Sequence, residues 1–559
     1  MSDESSMNDE SSIVKAAQES VVASDPYARE PQTFPVLTDE QVERVSGYGT
    51  VEELPAGHRV FKRGQRSVDF FLLLEGTIEI FDLDPNGEPV VITVHGKHQF
   101  TGELDLFNRR KILVGGRTGQ PSKVARLTRT EFQRMASTEQ DIGEIIMRAF
   151  ILRRTAFILH GEAGVYVLGP ANDRDVIRIQ RFLSRNGYPV RQTEPDSPAG
   201  KQLAEEFTAE ADGLPLVITA DRRSYHNPST RQLADELGLT ESLDEGHVYD
   251  LAIIGGGPAG LSACVYGASE ALDTIVIESE APGGQAGTSS RIENYLGFPT
   301  GITGRALAAR AWIQGQKFGA HFAVPYEVKG VHRTGDGFEI DTNCIKKIHA
   351  RAVIVATGAT YRKLALEHYE RFEGQGIHYA ATPLEAQFCA GTEVIVVGGG
   401  NSAGQAAVFL SRHARHVHLL VRGESLAASM SDYLVSRIRE SKTITLHTRT
   451  QLTALHGERQ LRQATWHNAD SGESETRDIS NIFVMIGAVP NTDWLKGCVD
   501  LDEKGFVVTG TEGRSRFQTS ETGIFAVGDA RSGSTKRVAS GVGEGSVCIS
   551  EVHGYLAER

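Results

Sequence analysis

"DLAIIGGGPAGLSACVYGA", residues 250–268, decides the fold. A short apolar run enters a Gly-rich turn, Gly255-x-Gly257-x-x-Gly260, and small apolar residues follow at helical spacing. In a strand–turn–helix of this kind the first glycine permits the tight turn. The second lets backbone approach a pyrophosphate at the helix N-terminus, and the third lets helix and strand pack closely. Pro258 and Ala259 belong to the same phosphate-facing turn. Eighteen residues after Gly260 the run "TIVIE" ends on Glu278, whose carboxylate is placed to accept both ribose hydroxyls of an adenosine. Fingerprint, flanking strands and terminal acid in register predict a Rossmann-like dinucleotide-binding unit.

The pattern recurs in "TEVIVVGGGNSAGQAAVFLSRHARHVHLLVRG", residues 392–423. Gly398-x-Gly400-x-x-Ala403 repeats the geometry, with Asn401 and Ser402 opening the helix. This time the second strand ends without an acid: Val421 stands where Glu278 stood, and Arg422 follows. An acid repels a 2′-phosphate and an arginine attracts it, so NADPH is expected here, with NADH the weaker alternative. Each fingerprint has later companions. "AVIVATGA" (352–359, with Thr357 and Gly358) and "NIFVMIGAVPNT" (481–492, with Gly487) are buried strands ending in small residues. "GIFAVGDARSGSTKRVASGVGEG" (523–545) places Gly528-Asp529 after a strand and a helix after Arg537. An aspartate there can hold a ribityl hydroxyl, and the helix N-terminus can face the N1–O2 edge of a flavin. The expected arrangement is an FAD-binding domain from 248–360 and 490–559, with an NAD(P)H-binding domain, 361–489, inserted in it.

The 559 residues are too many for one core. Residues 1–33 read as a disordered acidic, Ser-rich tail, with a short helix near "SIVKAAQES". From 34 to 158 the pattern is β: "HRVFKRG", "DFFLLLEGTIEIFDLD" and "PVVITVHG" alternate with glycine turns, "DPNGEP" reads as a hairpin turn, and one helical run, "EFQRMASTEQDIGEIIMRAFILRRTAFIL", follows. From 160 to 242 short strands alternate with helices, the first stopped by Asn186-Gly187 and the last capped by Asn227 with Pro228 at its first position. The net charge of −14 argues against nucleic-acid or anionic-membrane partners. No apolar run is long enough to span a bilayer and the N-terminus lacks a signal-peptide pattern, so a cytoplasmic protein is expected. The five cysteines, 264, 344, 389, 498 and 548, form neither a Cys-x-x-C nor a metal-ligand spacing, and are expected to be reduced and mostly buried.

Residues 248–559 resemble the low-molecular-weight thioredoxin reductases in "GGGPAGLSA", "GGQ" (283–285), "IENYLGFP" (292–299), "ATG" (356–358), "GGGNSA" (398–403) and "GIFAVGDA" (523–530). The resemblance implies an FAD- and NADPH-dependent oxidoreductase, usually a homodimer. It puts Gly284, Gln285 and Asn294 against the isoalloxazine and ribityl chain, with Arg537, Val538 and Ala539 near the flavin. Residues 34–155 resemble cyclic-nucleotide-binding domains in "FFLLLEGTIEIF" and "FTGELDLFNRR". Glu103 would take the ribose 2′-hydroxyl and Arg110 the cyclic phosphate of a cyclic nucleotide, but the cassette is short and Lys111 replaces the usual small or hydroxyl residue, so a vestigial roll serving packing or regulation is the favoured expectation over nucleotide binding. Residues 160–240 resemble the thioredoxin-like fold, with Pro215 at its cis-proline, but carry no cysteine. The fold class expected is therefore multidomain α/β: two Rossmann-like (three-layer ββα) domains preceded by a β-roll and a small thioredoxin-like unit.

One departure bears on chemistry. The family's active disulfide should begin at 380, where Ala380-Ala381-Thr382-Pro383 stands instead, and Cys389 has no partner nearby. A single thiol cannot take two electrons as an intramolecular disulfide. His378 and Tyr379 are the only acid–base candidates in that stretch. The reading is an oxidoreductase passing hydride from NADPH to FAD and then to an unidentified acceptor, small molecule or protein, not through an internal dithiol. The alternatives are a flavin-bound sensor or interaction protein with a regulatory N-terminal domain and little turnover, and a thioredoxin-disulfide or ferredoxin–NADP reductase-like activity.

Overall fold

The computed structural model describes residues 25–558, apart from 67, 85–86, 103–105, 107–110, 161, 163, 172, 209–212, 220, 241–245, 290–291, 293, 345–346, 382–384, 387, 428, 459 and 512. The tail helix expected near "SIVKAAQES" and the cassette residues Glu103 and Arg110 lie outside the described residues.

Two antiparallel sheets, one of three strands (Thr50–Leu54, Ser122–Leu127, Phe70–Glu75) and one of four (Arg59–Phe61, Gly115–Thr118, Ile78–Leu83, Pro89–His95), make the β-roll. Its core is aromatic: Phe70 lies between Phe100 and Phe132 at ring distances of 5.6 and 4.9 Å. The single helical run expected after it is two helices, Arg129–Thr138 and α1 (Gln140–His160). The break falls at Glu139, which leaves helical geometry at φ −93°, ψ 77°. Its carboxylate is gripped by Arg44 and by the Tyr48 hydroxyl at 2.9 Å, so a tertiary contact ends the helix where no Pro or Gly does.

The middle unit runs strand Val165–Leu168, α2 (Arg174–Arg185), strand Val190–Thr193, helix Pro198–Glu206, strands Leu216–Ile218 and Ser224–His226, then α3 (Thr230–Leu237). The first two strands are parallel, the last two antiparallel, and in space the order is 224–226, 216–218, 165–168, 190–193. The Leu214–Pro215 peptide is cis. Asn227 does not cap α3: Ser229 does, accepting from Gln232 N at 3.1 Å. Asn227 has a left-handed backbone (φ 36°) and its side chain is engaged by Arg178 and Asp175. Roll and middle unit share one hydrophobic core, in which Phe70, Phe150 and Phe157 join Val165, Ile179, Leu183 and Leu237.

The module expected to bind FAD, termed flavin-side, is a parallel layer ordered His321–Ala323, β1 (Thr274–Ile277), β2 (Val248–Ile254) and β3 (Ile348–Val355). The outer edge of β3 is divided. Its first half pairs antiparallel with Gly337–Thr342, and its second half pairs parallel with Ile524–Ala526. α4 (Pro258–Ser269) and α5 (Val538–Ala557) pack together on this sheet. The inserted module has a five-stranded parallel sheet, Ile377–His378, Asn481–Val484, β4 (Glu393–Val397), β5 (His416–Leu420) and Ile444–His447, and a three-stranded antiparallel sheet covers it. The chain crosses between the modules through an antiparallel pair, Ala359–Tyr361 with Ala488–Pro490. Among the described residues no helix is long and apolar enough to cross a membrane.

Candidate active site

Where β2 ends, Gly255 turns at φ 108°, and a Cβ there would meet the Ala356 carbonyl at 2.4 Å. A Cβ on Gly260 would stand 1.9 Å from the Gly255 carbonyl oxygen, so helix and turn touch at that point. Gly257 differs: its nearest neighbour is the Gly284 Cα at 4.0 Å, and the space above it is open. Glu278, following β1 and almost buried, accepts from Gly256 N at 2.7 Å and from Glu280 N at 3.0 Å. The carboxylate thus ties the Gly-rich turn to the loop 278–285 and keeps lone pairs for a ligand. Gly283 N donates to the Gly256 carbonyl at 2.6 Å, closing that loop onto the turn.

The second half of the cradle comes from the far end of the chain. Gly528 has a left-handed backbone (φ 69°), and its N–H donates to Glu544 at 2.7 Å. Arg531 pairs with the same carboxylate at 2.6 Å, both side chains nearly buried. Asp529 is held half-buried, and burial raises its carboxyl above the usual range. α5 starts at Val538 with Arg537 as an N-cap that makes no side-chain bond, which leaves the N–H groups of its first turn available. Its Gly541 and Gly545 pack on Ala259 at the start of α4, so two helix N-termini converge beside Gly257 and Gly528. The Thr357 hydroxyl is buried with no hydrogen-bond partner. Gly358 continues into the crossing strand, where the Gln285 amide donates to the Ala359 carbonyl. Asn294 stands exposed on the loop beyond the Ile292–Ile302 bridge.

In the inserted module Gly398 turns at φ 143°, where a Cβ would meet the Met485 carbonyl at 2.4 Å. The helix Asn401–Leu410 follows, with Gly400 at its N-cap and Ala403 buried. Asn401 accepts from Ser431 N at 2.8 Å, Ser402 is exposed, and Gly487 (φ 88°) has open space around it. Val421 is buried against Gly399 where Glu278 meets Gly256 in the first site, and Arg422 is exposed beside it. The two fingerprints therefore differ in charge where an adenosine ribose would lie.

His378 and Tyr379 both serve packing. The His378 ring stacks on Phe483 at 5.0 Å, its Nε2 meets Asn481 Oδ1 at 2.9 Å, and burial lowers its basicity. Tyr379 stacks on Tyr361 at 5.0 Å and 8° and donates to Glu373, while burial raises its phenol. Sequence reading missed Glu544 and Arg531, although a lone acid in the apolar run "VASGVGEGSVCIS" is a signal for a buried, paired carboxylate. In the roll, a small cavity of ≈ 30 Å³, room for a water or two, is lined by Phe34, Phe61, His95, Arg153 and Phe157.

Residues 249–545 match the sequence family described as Pyridine nucleotide-disulphide oxidoreductase, more than half of the chain. The chain belongs to this family. Residues 51–139 match the cyclic nucleotide-binding domain. Among curated proteins, a thioredoxin reductase of Mycolicibacterium smegmatis is 33% identical over 314 residues, 56% of this chain and 98% of the relative. An NADPH-dependent thioredoxin reductase 3 of Arabidopsis thaliana is 33% identical over 359 residues, 63% of this chain and 64% of that relative's length. Among solved structures, a thioredoxin reductase from Streptococcus pyogenes superposes with a TM-score of 0.51 at 29% identity, covering 56% of this chain and 99% of that one. The one from Giardia duodenalis gives 0.51 at 26%, with the same 56% and 99% coverage. The chain is a thioredoxin reductase-like pyridine nucleotide-disulphide oxidoreductase with an N-terminal cyclic nucleotide-binding domain, and its family uses FAD and NADPH.

Proposed function

We propose that this oxidoreductase moves electrons from NADPH to FAD and on to an external acceptor without an internal dithiol. The observation that carries the reading is the placement of sulfur. The five thiols are all free, and no two are close enough in sequence for a Cys-x-x-C. Position 380, where the family's disulfide should begin, is alanine. Cys389 is buried, and burial, then the nearby Glu385, push its thiol up to about 12, so it is not a thiolate nucleophile at neutral pH. Cys264 and Cys548 lie within the flavin-side core, each raised by burial.

The residues fit FAD. The open space over Gly257, the unpartnered buried Thr357 hydroxyl and the two helix N-termini form a cradle that already excludes side chains where a pyrophosphate would lie. Gly255, Gly257, Pro258, Ala259, Gly260 and Glu278 would hold the adenosine diphosphate half. Gly284, Gln285, Asn294, Thr357, Gly358, Gly528, Asp529 and the first turn of α5 (Arg537, Val538, Ala539) would hold the flavin half. Bound there, FAD would accept a hydride and release electrons singly or in pairs. NADPH would lie on Gly398, Gly400, Asn401, Ser402, Ala403 and Gly487, with Arg422 drawing its 2′-phosphate. Gln285, tied to the crossing strand, and the Tyr361–Tyr379 stack would orient one module against the other.

The acceptor is proposed to be a quinone-like small molecule or a carrier protein, the cysteine-free middle unit to serve docking, and a cyclic nucleotide to be the effector of the roll. Tyr266 and Val547, exposed on α4 and α5, support pairing of two copies through the flavin-side module. Anaerobic turnover of NADPH with a benzoquinone, before and after iodoacetamide treatment of the flavin-loaded chain, tests the central point. Unchanged turnover after alkylation is expected. Loss of turnover on alkylation would show that a thiol carries the electrons.

A further inference from the structure

The middle unit reaches into the dinucleotide site. α2 ends at Arg185, and the turn after it, Asn186-Gly187, lies against the loop 278–285. The Arg185 guanidinium pairs with the Glu280 carboxylate and also donates to the Gly284 carbonyl at 3.3 Å. The Asn186 amide, fully buried, donates to the Glu280 carbonyl at 3.0 Å and to the Phe182 carbonyl at 2.9 Å. Glu280 N in turn bonds Glu278, and Glu278 bonds the Gly-rich turn at Gly256. Gly284 lies against Gly257 at the border of the cradle, where a Cβ on it would stand 3.0 Å from the Gly257 Cα. Two side chains from outside the flavin-side module thus hold both ends of the loop that borders the cofactor.

The same turn is touched from the roll. Arg154, on α1 and nearly buried, donates to the Gly187 carbonyl at 3.5 Å. Its neighbour Arg153 lines the cavity of the roll and donates to the carbonyls of Phe100 and Gly102, both at 3.1 Å. Consecutive residues of one helix therefore face the roll's interior and the Asn186-Gly187 turn. The shared core of roll and middle unit leaves little slack between them.

We infer that Arg185 and Asn186 are positioning residues of the flavin-binding loop, and that through Arg154 the roll acts on FAD retention and reduction at this turn. The inference rests on the proposed placement of FAD beside Glu278 and Gly284. The contact runs in steps: Arg154 reaches the turn at Gly187, and Arg185 and Asn186 on that turn reach the loop at Gly284 and Glu280.

The full-length, flavin-loaded chain is the material for the test. FAD release after dilution is followed by fluorescence, and NADPH-driven loss of absorbance near 450 nm by anaerobic stopped flow. Arg185→Ala is expected to release FAD roughly tenfold faster, the effect of losing a charge-assisted hydrogen bond and its neighbour. Arg185→Lys, which keeps the charge for Glu280, is expected to recover part of that. Glu280→Gln changes an exposed side chain, keeps the fold in place, and is expected to move release in the same direction. A merely structural brace would lower the melting temperature with FAD release unchanged, and that result, or wild-type release in both Arg185→Ala and Glu280→Gln, overturns the inference. Arg154→Ala is expected to accelerate release to a smaller extent, and unchanged release would remove the link to the roll. A wild-type chain that binds no FAD would instead strike the proposed function itself, and the inference with it.

Discussion

Gly257 and Gly260 sit three residues apart, yet they are glycine for different reasons. A Cβ on Gly260 would collide with backbone at 1.9 Å, whereas one on Gly257 would meet nothing nearer than 4.0 Å. Gly260→Ala is therefore expected to lower the melting temperature of the apoprotein, because backbone cannot yield cheaply. Gly257→Ala should leave that temperature nearly unchanged and weaken FAD binding by filling the space a pyrophosphate would take. Thermal melts with and without FAD separate the two. On the proposed placement of NADPH, Val421 and Arg422 would carry the coenzyme choice. Arg422→Ala is expected to cut kcat/KM for NADPH by about tenfold with little effect on NADH, the loss of one charge-assisted contact. Val421→Glu should turn the preference toward NADH by placing a carboxylate where Glu278 stands in the first site. Steady-state kinetics with both coenzymes check this, and equal losses for both would rule out a 2′-phosphate contact at Arg422.

Strands and helices show where sequence reasoning holds and where it gives way. The strand–turn–helix units at 248–269 and 393–410 were legible because local rules decide them: an apolar run, glycines at fixed spacing, then a helix start. The break at Glu139 was not legible. Its cause is Arg44, nearly a hundred residues away, and neither Pro nor Gly marks the place. The cap of α3 was misplaced by two residues because Asn227 and Ser229 are both good caps, and Arg178 and Asp175 claim the first. Arg185 and Asn186 act on the cradle from another unit, nearly a hundred residues away, and such long-range pairs leave almost no trace in one sequence. His447 ends the edge strand of the inserted sheet, with its Nε2 3.1 Å from His418 Nδ1 and its ring 5.6 Å from that of Trp466. Burial, then the neighbouring His418, push His447 down to about 4. His416, Glu393, Glu475 and Arg477 surround the pair. A histidine depressed in the folded state contributes stability that is present above its unfolded value near 6.5 and is lost as pH falls toward 4. The melting temperature should therefore drop across that window, and His447→Gln should flatten the drop. An unaltered slope would mean that other groups set it.

At the scale of the whole molecule, the roll and the middle unit share one core and meet the two-module oxidoreductase at the Asn186-Gly187 turn, at Arg231 against Tyr326 and at Ile313. The flavin-side and inserted modules were predictable because each fingerprint is local and repeated. The junction between roll, middle unit and cradle was not, since it depends on how separately legible pieces meet. On the proposed function, a chain of this family without a Cys-x-x-C stores electrons only on the flavin. Anaerobic titration of the flavin-loaded chain with NADPH counts them directly by absorbance near 450 nm. Complete bleaching at one equivalent of NADPH per FAD, with no further uptake, is the result predicted. Uptake of a second equivalent, as a redox-active disulfide in exchange with the flavin would require, would contradict the account.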